Sequence, residues 1–183
     1  SPNTPKVYNA NFGSGAIYLD GTNNSSNWFV GASNSELTAF AGSTINAGPG
    51  FSTTTTSPAC LALLGGVGGT ASNGKFAIFS FSMVGYINLS VTYASQKSNT
   101  GFNTQIWEYS TDGINWTPLS TVTTVTTSFS LITLPTTGGL NGATTAYLRF
   151  SGTGATAAAG NNRLDNIQLN ATPGVTFNTD PVT

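Results

Sequence analysis

The sequence predicts an all-β protein, a two-layer antiparallel β-sandwich of the jelly-roll kind with about ten strands. Three observations predict it. Apolar residues recur at every second position in segment after segment. Gly-, Thr- and Asn-rich connections separate these segments at short spacing. No stretch carries an apolar helical period beyond a turn or two. The 183 residues suit one large sandwich, so a single domain over 1–183 is expected, with strand-like tails at about 1–12 and 174–183.

The elements follow in chain order. A less regular N-terminal set covers 6–12, 16–19, 27–30 and 37–40. Residues 75–83 place Ala77, Phe79, Phe81 and Met83 on one face, and Val84-Gly85 turns into the next strand. Within 86–93, Ile87, Leu89, Val91 and Tyr93 alternate with Asn88, Ser90 and Thr92, which gives one buried face. Residues 103–110 and 114–117 flank Thr111-Asp112-Gly113, and Asp-Gly between alternating runs signals a tight hairpin. Further strands are expected at 119–125, 129–134, 146–151 and 164–169, with surface loops at 52–57 and 152–160.

Composition narrows the function. Only 6% of residues are charged, against roughly a quarter in an average globular protein. A near-neutral surface lacks the repulsion that keeps domains apart, which favours self-association. The five cations Lys6, Lys75, Lys97, Arg149 and Arg163 are scattered singly, so no patch is able to neutralise a phosphate backbone, and nucleic acid is not an expected partner. The longest apolar stretch, 59–64 running into Gly65-Gly66-Val67, falls far short of the roughly 20 residues that cross a bilayer. Cys60 is alone, so it reads as a buried structural thiol rather than half of an intrachain disulfide. A start at Ser1 without an initiator Met, together with the Ser/Thr/Asn/Gly composition, fits a processed protein exported outside the cell or to its surface.

Catalysis is not expected. There is no His, and the titratable candidates are Asp20, Glu36, Glu108, Asp112, Asp165 and Asp180. Asp112 is accounted for by its turn, and Asp180 lies in a tail. N-x-Ser/Thr triplets at Asn23, Asn24, Asn88, Asn115 and Asn170 are what chance yields in so Ser/Thr-rich a chain.

Three motifs carry a resemblance: Trp107-Glu108-Tyr109-Ser110-Thr111-Asp112-Gly113-Ile114-Asn115-Trp116, then Ala146-Tyr147-Leu148-Arg149-Phe150, then Gly160-Asn161-Asn162-Arg163-Leu164-Asp165-Asn166-Ile167. Over residues 75–170 the chain resembles the jelly-roll modules of large secreted proteins of Bacteroidetes and related bacteria. In those proteins a YSTDG-x-x-[WF] hairpin precedes a YLR strand and a closing NNRLDNI strand. The resemblance implies a non-catalytic extracellular module, an accessory to enzymes or adhesins, with carbohydrate-binding modules as its better-understood relatives. It also implies a candidate structural calcium, since jelly-roll carbohydrate-binding modules often ligate one through a carboxylate on the last strand.

On the residues themselves, Asp165 interrupts the alternation of Leu164, Ile167 and Leu169, so the closing strand is expected to bulge there. Asp165 with Asp20 could supply carboxylates to calcium, which takes about six to eight oxygens. The alternative is a bulge with Asp165 paired to Arg163 or Arg149. No other cofactor is required.

Two functional readings stand. In the first, the protein is a structural subunit that self-assembles into a filament, sheath or matrix. Its short alternating tails, with Lys6, Val7, Tyr8 and Phe12 at one end and Val175 and Phe177 at the other, would add as strands to a neighbour's open edge. In the second, it is a carbohydrate-binding or adhesion module in which Trp28, Trp107, Tyr109 and Trp116 stack on sugar rings. The competing fate of these aromatics is core packing or cross-strand pairing.

Overall fold

In the computed structural model, which describes residues 15–20, 36–48 and 60–174, the described residues form ten strands in two antiparallel sheets. They are β1 (Gly15–Asp20), β2 (Leu37–Phe40), β3 (Cys60–Leu64), β4 (Phe76–Phe81), β5 (Tyr86–Lys97), β6 (Thr104–Ser110), β7 (Thr117–Val122), β8 (Ser130–Thr133), β9 (Ala146–Thr153) and β10 (Asn161–Pro173). Sheet A has the order β1-β4-β9-β6-β7, and sheet B the order β2-β3-β10-β5-β8. A two-layer sandwich is therefore the fold, as the period-two pattern requires.

Each sheet turns its apolar positions inward. On sheet A, Ala77 and Phe79 of β4, Gln105 and Trp107 of β6, and Ala146, Leu148 and Phe150 of β9 are buried. On sheet B, Leu63, Leu89, Val91, Tyr93, Ile132 and Leu164 are buried, while Ile87, at the end of its run, is half-buried. Trp107 is the centre of this core. Its ring lies 5.2 Å from Tyr93, 5.3 Å from Phe150 and 5.9 Å from Phe79. Each such aromatic pair is worth about 0.5–1.5 kcal/mol beyond area burial.

A buried polar chain crosses the core. The Trp107 indole N–H donates to the Tyr93 hydroxyl at 3.0 Å, and that hydroxyl donates to Gln105 Oε1 at 2.6 Å. Gln105 Nε2 donates to Ser95 Oγ at 2.9 Å, and Ser95 Oγ donates to the Arg163 carbonyl at 2.9 Å. Trp107 and Gln105 belong to sheet A, the other members to sheet B, so the chain links the two layers.

Three expectations need correction. Residues 60–64, which showed no alternation, are a strand: both faces of β3 are covered, with Cys60, Ala62 and Leu63 buried, so no period of two appears. Residues 114–117 are not a strand except for Thr117, because the loop between β6 and β7 runs over 111–116. The closing strand is also longer than 164–169, and the 152–160 loop shorter, because β9 runs on to Thr153 and β10 begins at Asn161. The expected bulge is present: the β10–β5 register shifts between Asp165 and Gln168, with Asn166 at φ 48. The segments 6–12, 27–30 and 52–57 lie outside the described residues.

Tyr93→Phe removes the hydroxyl shared by Trp107 and Gln105, and should lower unfolding stability by about 2 kcal/mol or more in urea melts, since each buried group left unsatisfied costs about 1–3 kcal/mol. Burial raises the Tyr93 hydroxyl well above its ordinary value of 10.0, with the hydrogen bond from Trp107 opposing. The folded chain thus keeps a proton that the unfolded chain releases, so stability falls as pH rises beyond about 10. That alkaline decline should be shallower in Tyr93→Phe, and equal slopes would contradict the assignment.

Candidate functional site

The β6–β7 connection is built around one carboxylate. Asp112 Oδ1 accepts hydrogen bonds from the Ile114 and Asn115 N–H groups, each at 2.8 Å, and from Ser110 Oγ at 2.8 Å. Its Oδ2 accepts from Asn115 Nδ2 at 2.7 Å, and Ser110 Oγ in turn accepts from the Asp112 and Gly113 N–H groups. This is why 114–115 leave the ladder: their N–H groups point at Asp112 rather than at a partner strand. The hydrogen bonds, led by the one from Asn115, hold the Asp112 carboxyl far below the usual carboxylate range. Gly113 takes φ 71, a left-handed conformation that glycine adopts without strain.

The loop folds back over the outward face of sheet A. A side-chain carbon at Gly113 would meet the Tyr147 ring at 3.5 Å, and Tyr147 alternates outward from Ala146 and Leu148 on β9. Trp116, at the end of the loop, lies against Arg149, whose guanidinium carbon is 4.2 Å from the Trp116 ring centroid and 5.1 Å from that of Phe76. Arg149 also forms an ion pair with Glu108, its Nε at 2.7 Å and its terminal nitrogen at 2.6 Å from Oε2. Glu108 and Arg149 face each other in register on β6 and β9. The result is a half-exposed surface of Phe76, Glu108, Trp116, Tyr147 and Arg149, in which the two charges cancel.

The sequence-predicted aromatics separate here. Trp107, at 0% exposure, belongs to the core and turns no ring face to solvent. Tyr109 shares its side of β6 and is half-buried against the core, its ring packed so closely on Gly139 that a side-chain carbon there would come within 2.4 Å. Trp116 is at the surface just described, and Trp28 lies outside the described residues. Phe76, Tyr147 and Arg149 were not among the sugar-contact candidates read from the sequence. The signal was available for two of them, since burying Ala146, Leu148 and Phe150 sends Tyr147 and Arg149 to the opposite face.

Asp165 acts as a clamp on the other layer. Its Oδ2 accepts the Ser43 N–H at 2.6 Å, and its Oδ1 the Asn166 N–H at 3.0 Å. Asn166 Nδ2 donates to the Ser43 and Ile45 carbonyls, and Asn46 Nδ2 donates to the Asn166 carbonyl. Segment 41–46 is thereby held against the outward face of sheet B. Neither arginine pairs with Asp165: Arg149 is committed to Glu108, while Arg163 stacks over Phe40 at 4.5 Å. Asp20 ends β1 on sheet A, in register with Phe76, so the two expected calcium ligands belong to different sheets. Among the described residues no group of three or more His, Cys, Asp and Glu side chains comes together. Lys6, Val7, Tyr8, Phe12, Val175 and Phe177 lie outside the described residues.

No protein-family model matches the sequence, and no curated protein does. Solved structures similar to this chain include the K2 cleaved adhesin domain of Lys-gingipain, at TM-score 0.46 and 14% identity, covering 85% of this chain and 98% of that one. Another is the N-terminal cellulose-binding domain of β-1,4-glucanase C from Cellulomonas fimi, at TM-score 0.46 and 13% identity over 71% of this chain and 94% of that one. A Stig cyclase from Fischerella matches at TM-score 0.41 and 13% identity, covering 94% and 81%. These are likenesses of fold.

Burial raises the Asp165 carboxyl above its ordinary value of 3.8, outweighing the Ser43 and Asn166 hydrogen bonds. The folded state therefore binds that proton more tightly than the unfolded chain, and this group's contribution to stability declines as pH rises through the carboxylate range. Asp165→Ala, which leaves the buried Ser43 N–H without its acceptor, should cost about 1–3 kcal/mol in urea melts. Asp165→Asn, which keeps an acceptor oxygen and drops the charge, should cost less and abolish that decline. A larger loss for Asn than for Ala would contradict the clamp.

Proposed function

We propose that the protein is a non-catalytic module, exported to the cell surface or its surroundings, that binds neutral polysaccharide on the outward face of sheet A. The observation that carries the reading is the stack of Trp116, Arg149 and Phe76 with Tyr147 beside it. Aromatic rings present apolar faces that match the C–H faces of sugar rings, and their polar tips supply hydrogen bonds. Charge selects the class of ligand. With Glu108 and Arg149 paired, the face offers neither an unpaired cation to an acidic polymer nor an unpaired anion to a basic one.

The absence of catalysis in this reading is supported by the engagement of each carboxylate whose side chain is described. Glu36 is buried against Lys75, Glu108 is held by Arg149, Asp112 by its loop and Asp165 by segment 41–46. Self-assembly, the other reading of the sequence, draws on tails outside the described residues, and what supports the polysaccharide reading is the outward face of sheet A.

The test is affinity electrophoresis through gels containing hydroxyethyl cellulose, β-glucan, xyloglucan, galactan or mannan, with polygalacturonate and alginate as anionic controls. The wild type should be retarded by at least one neutral polymer and by neither anionic one. Trp116→Ala should weaken retardation by about tenfold or more, as truncation of a central aromatic anchor does, while keeping the folded circular dichroism spectrum. Unretarded migration across the neutral panel would overturn the reading.

A further inference from the structure

Ile114 is 78% exposed, more than any other large hydrophobic side chain among the described residues, and it sits on a loop whose backbone is fixed by Asp112. A rigid, polar-anchored loop that carries an isolated aliphatic side chain outward is unusual. Burial is the ordinary fate of Ile, and an exposed Ile on a mobile loop would lose its ordering entropy on contact with anything. Here the backbone on either side of it is already held. The Ile114 N–H is tied to Asp112 Oδ1, a side-chain carbon at the preceding Gly113 would meet the Tyr147 ring, and Trp116 after it packs on Arg149.

We propose that this loop is a preorganised rim of the polysaccharide face, in which Ile114 contacts the bound chain and Asp112, with Ser110 and Asn115, acts as its positioning residue. The inference rests on the polysaccharide-binding reading and adds to it a contact residue that is neither aromatic nor charged. The loop joins β6 to β7 beside Glu108 and Tyr147, so it borders the aromatic stack rather than lying at a separate end of the molecule. Its one charge, on Asp112, is held by four hydrogen-bond donors of the loop itself, so the contact that the loop adds to the face it borders is the apolar side chain of Ile114. A neutral sugar chain, amphipathic across its ring faces, matches both.

The experiment is a double-mutant cycle on the intact chain. Ile114→Ser, Asp112→Ala and the pair are titrated calorimetrically with whichever neutral polysaccharide of the panel retards the wild type most. Ile114→Ser should weaken binding roughly fivefold or more with the melting temperature unchanged, since only an exposed apolar contact is lost. Asp112→Ala should weaken it comparably and speed hydrogen exchange at the Ile114 and Asn115 amides. The pair should be no weaker than the worse single variant by more than about twofold, because an unpositioned Ile114 has little left to lose. Unchanged affinity in Ile114→Ser, beside a wild type that binds and a Trp116→Ala that does not, would overturn the rim and leave the proposed function standing. Fully additive losses would overturn the positioning role of Asp112. A wild type that binds no polysaccharide in the panel would overturn both.

Discussion

The rest of the fold depends on how Trp107 and Tyr93 meet in the core. Each is large, each carries one polar atom, and both are 0% exposed, so each must find a hydrogen-bond partner where water is absent. They satisfy each other, and the surplus is passed through Gln105 and Ser95 to a main-chain carbonyl on β10. Apolar packing alone would tolerate several offsets between the layers. A directional chain of four bonds tolerates one, because a slip of a single residue would send Trp107 or Tyr93 to the wrong face and orphan the others. With β6 and β5 so fixed, β9 and β10 follow through their ladders.

Fixing β6 also fixes what the outside of sheet A can hold. If Gln105 and Trp107 point inward, Ile106 and Glu108 point outward, and the β9 register then delivers Arg149 opposite Glu108. The pairing on the outward face is in this sense a by-product of the internal chain. Charge is used sparingly in the same way: where charged side chains pack against each other in the described residues, as with Lys75 and Glu36 in the interior or Arg149 and Glu108 on the face, they do so in opposite pairs. In a chain where 6% of residues are charged, each pair carries more of the electrostatic pattern than it would elsewhere.

Much of this was legible in the sequence, and the reason lies in one-sided burial. β4, β5 and β9 each alternate over most of their length, so the pattern announced their existence and, for β4 and β5, most of their inward residues. The bulge at Asp165 was legible too, because a polar residue broke a regular beat. β3 was not, since a strand covered on both faces loses its period and reads as a bare apolar run. The β6–β7 loop was misjudged in length because Asp-Gly marks a turn without saying how many amides the carboxylate will capture; Asp112 takes those of Ile114 and Asn115. The aromatics posed a different problem. Alternation placed Trp107 and Tyr109 on one side of β6, but nothing local states which side is the core. That is settled by Tyr93, fourteen positions earlier and on the other sheet.

The two outward faces then diverge for a physical reason. On sheet B, Ala62 and Ala94 alternate outward yet are fully buried, and Asp165 and Asn166 bind segment 41–46 across that side. Small side chains there let main chain approach closely, and main chain needs donors and acceptors, which the bulge supplies by turning Asp165 and Asn166 toward it. On sheet A the outward positions among the described residues hold the larger side chains of Phe76, Glu108, Tyr147 and Arg149. These side chains pack on one another, with Arg149 over the rings of Phe76 and Trp116 and paired to Glu108, and so cover the sheet backbone themselves. One layer is thus overlaid by a segment of the chain's own backbone, 41–46, while on the other, among the described residues, the outward face is finished by side chains that pair with one another.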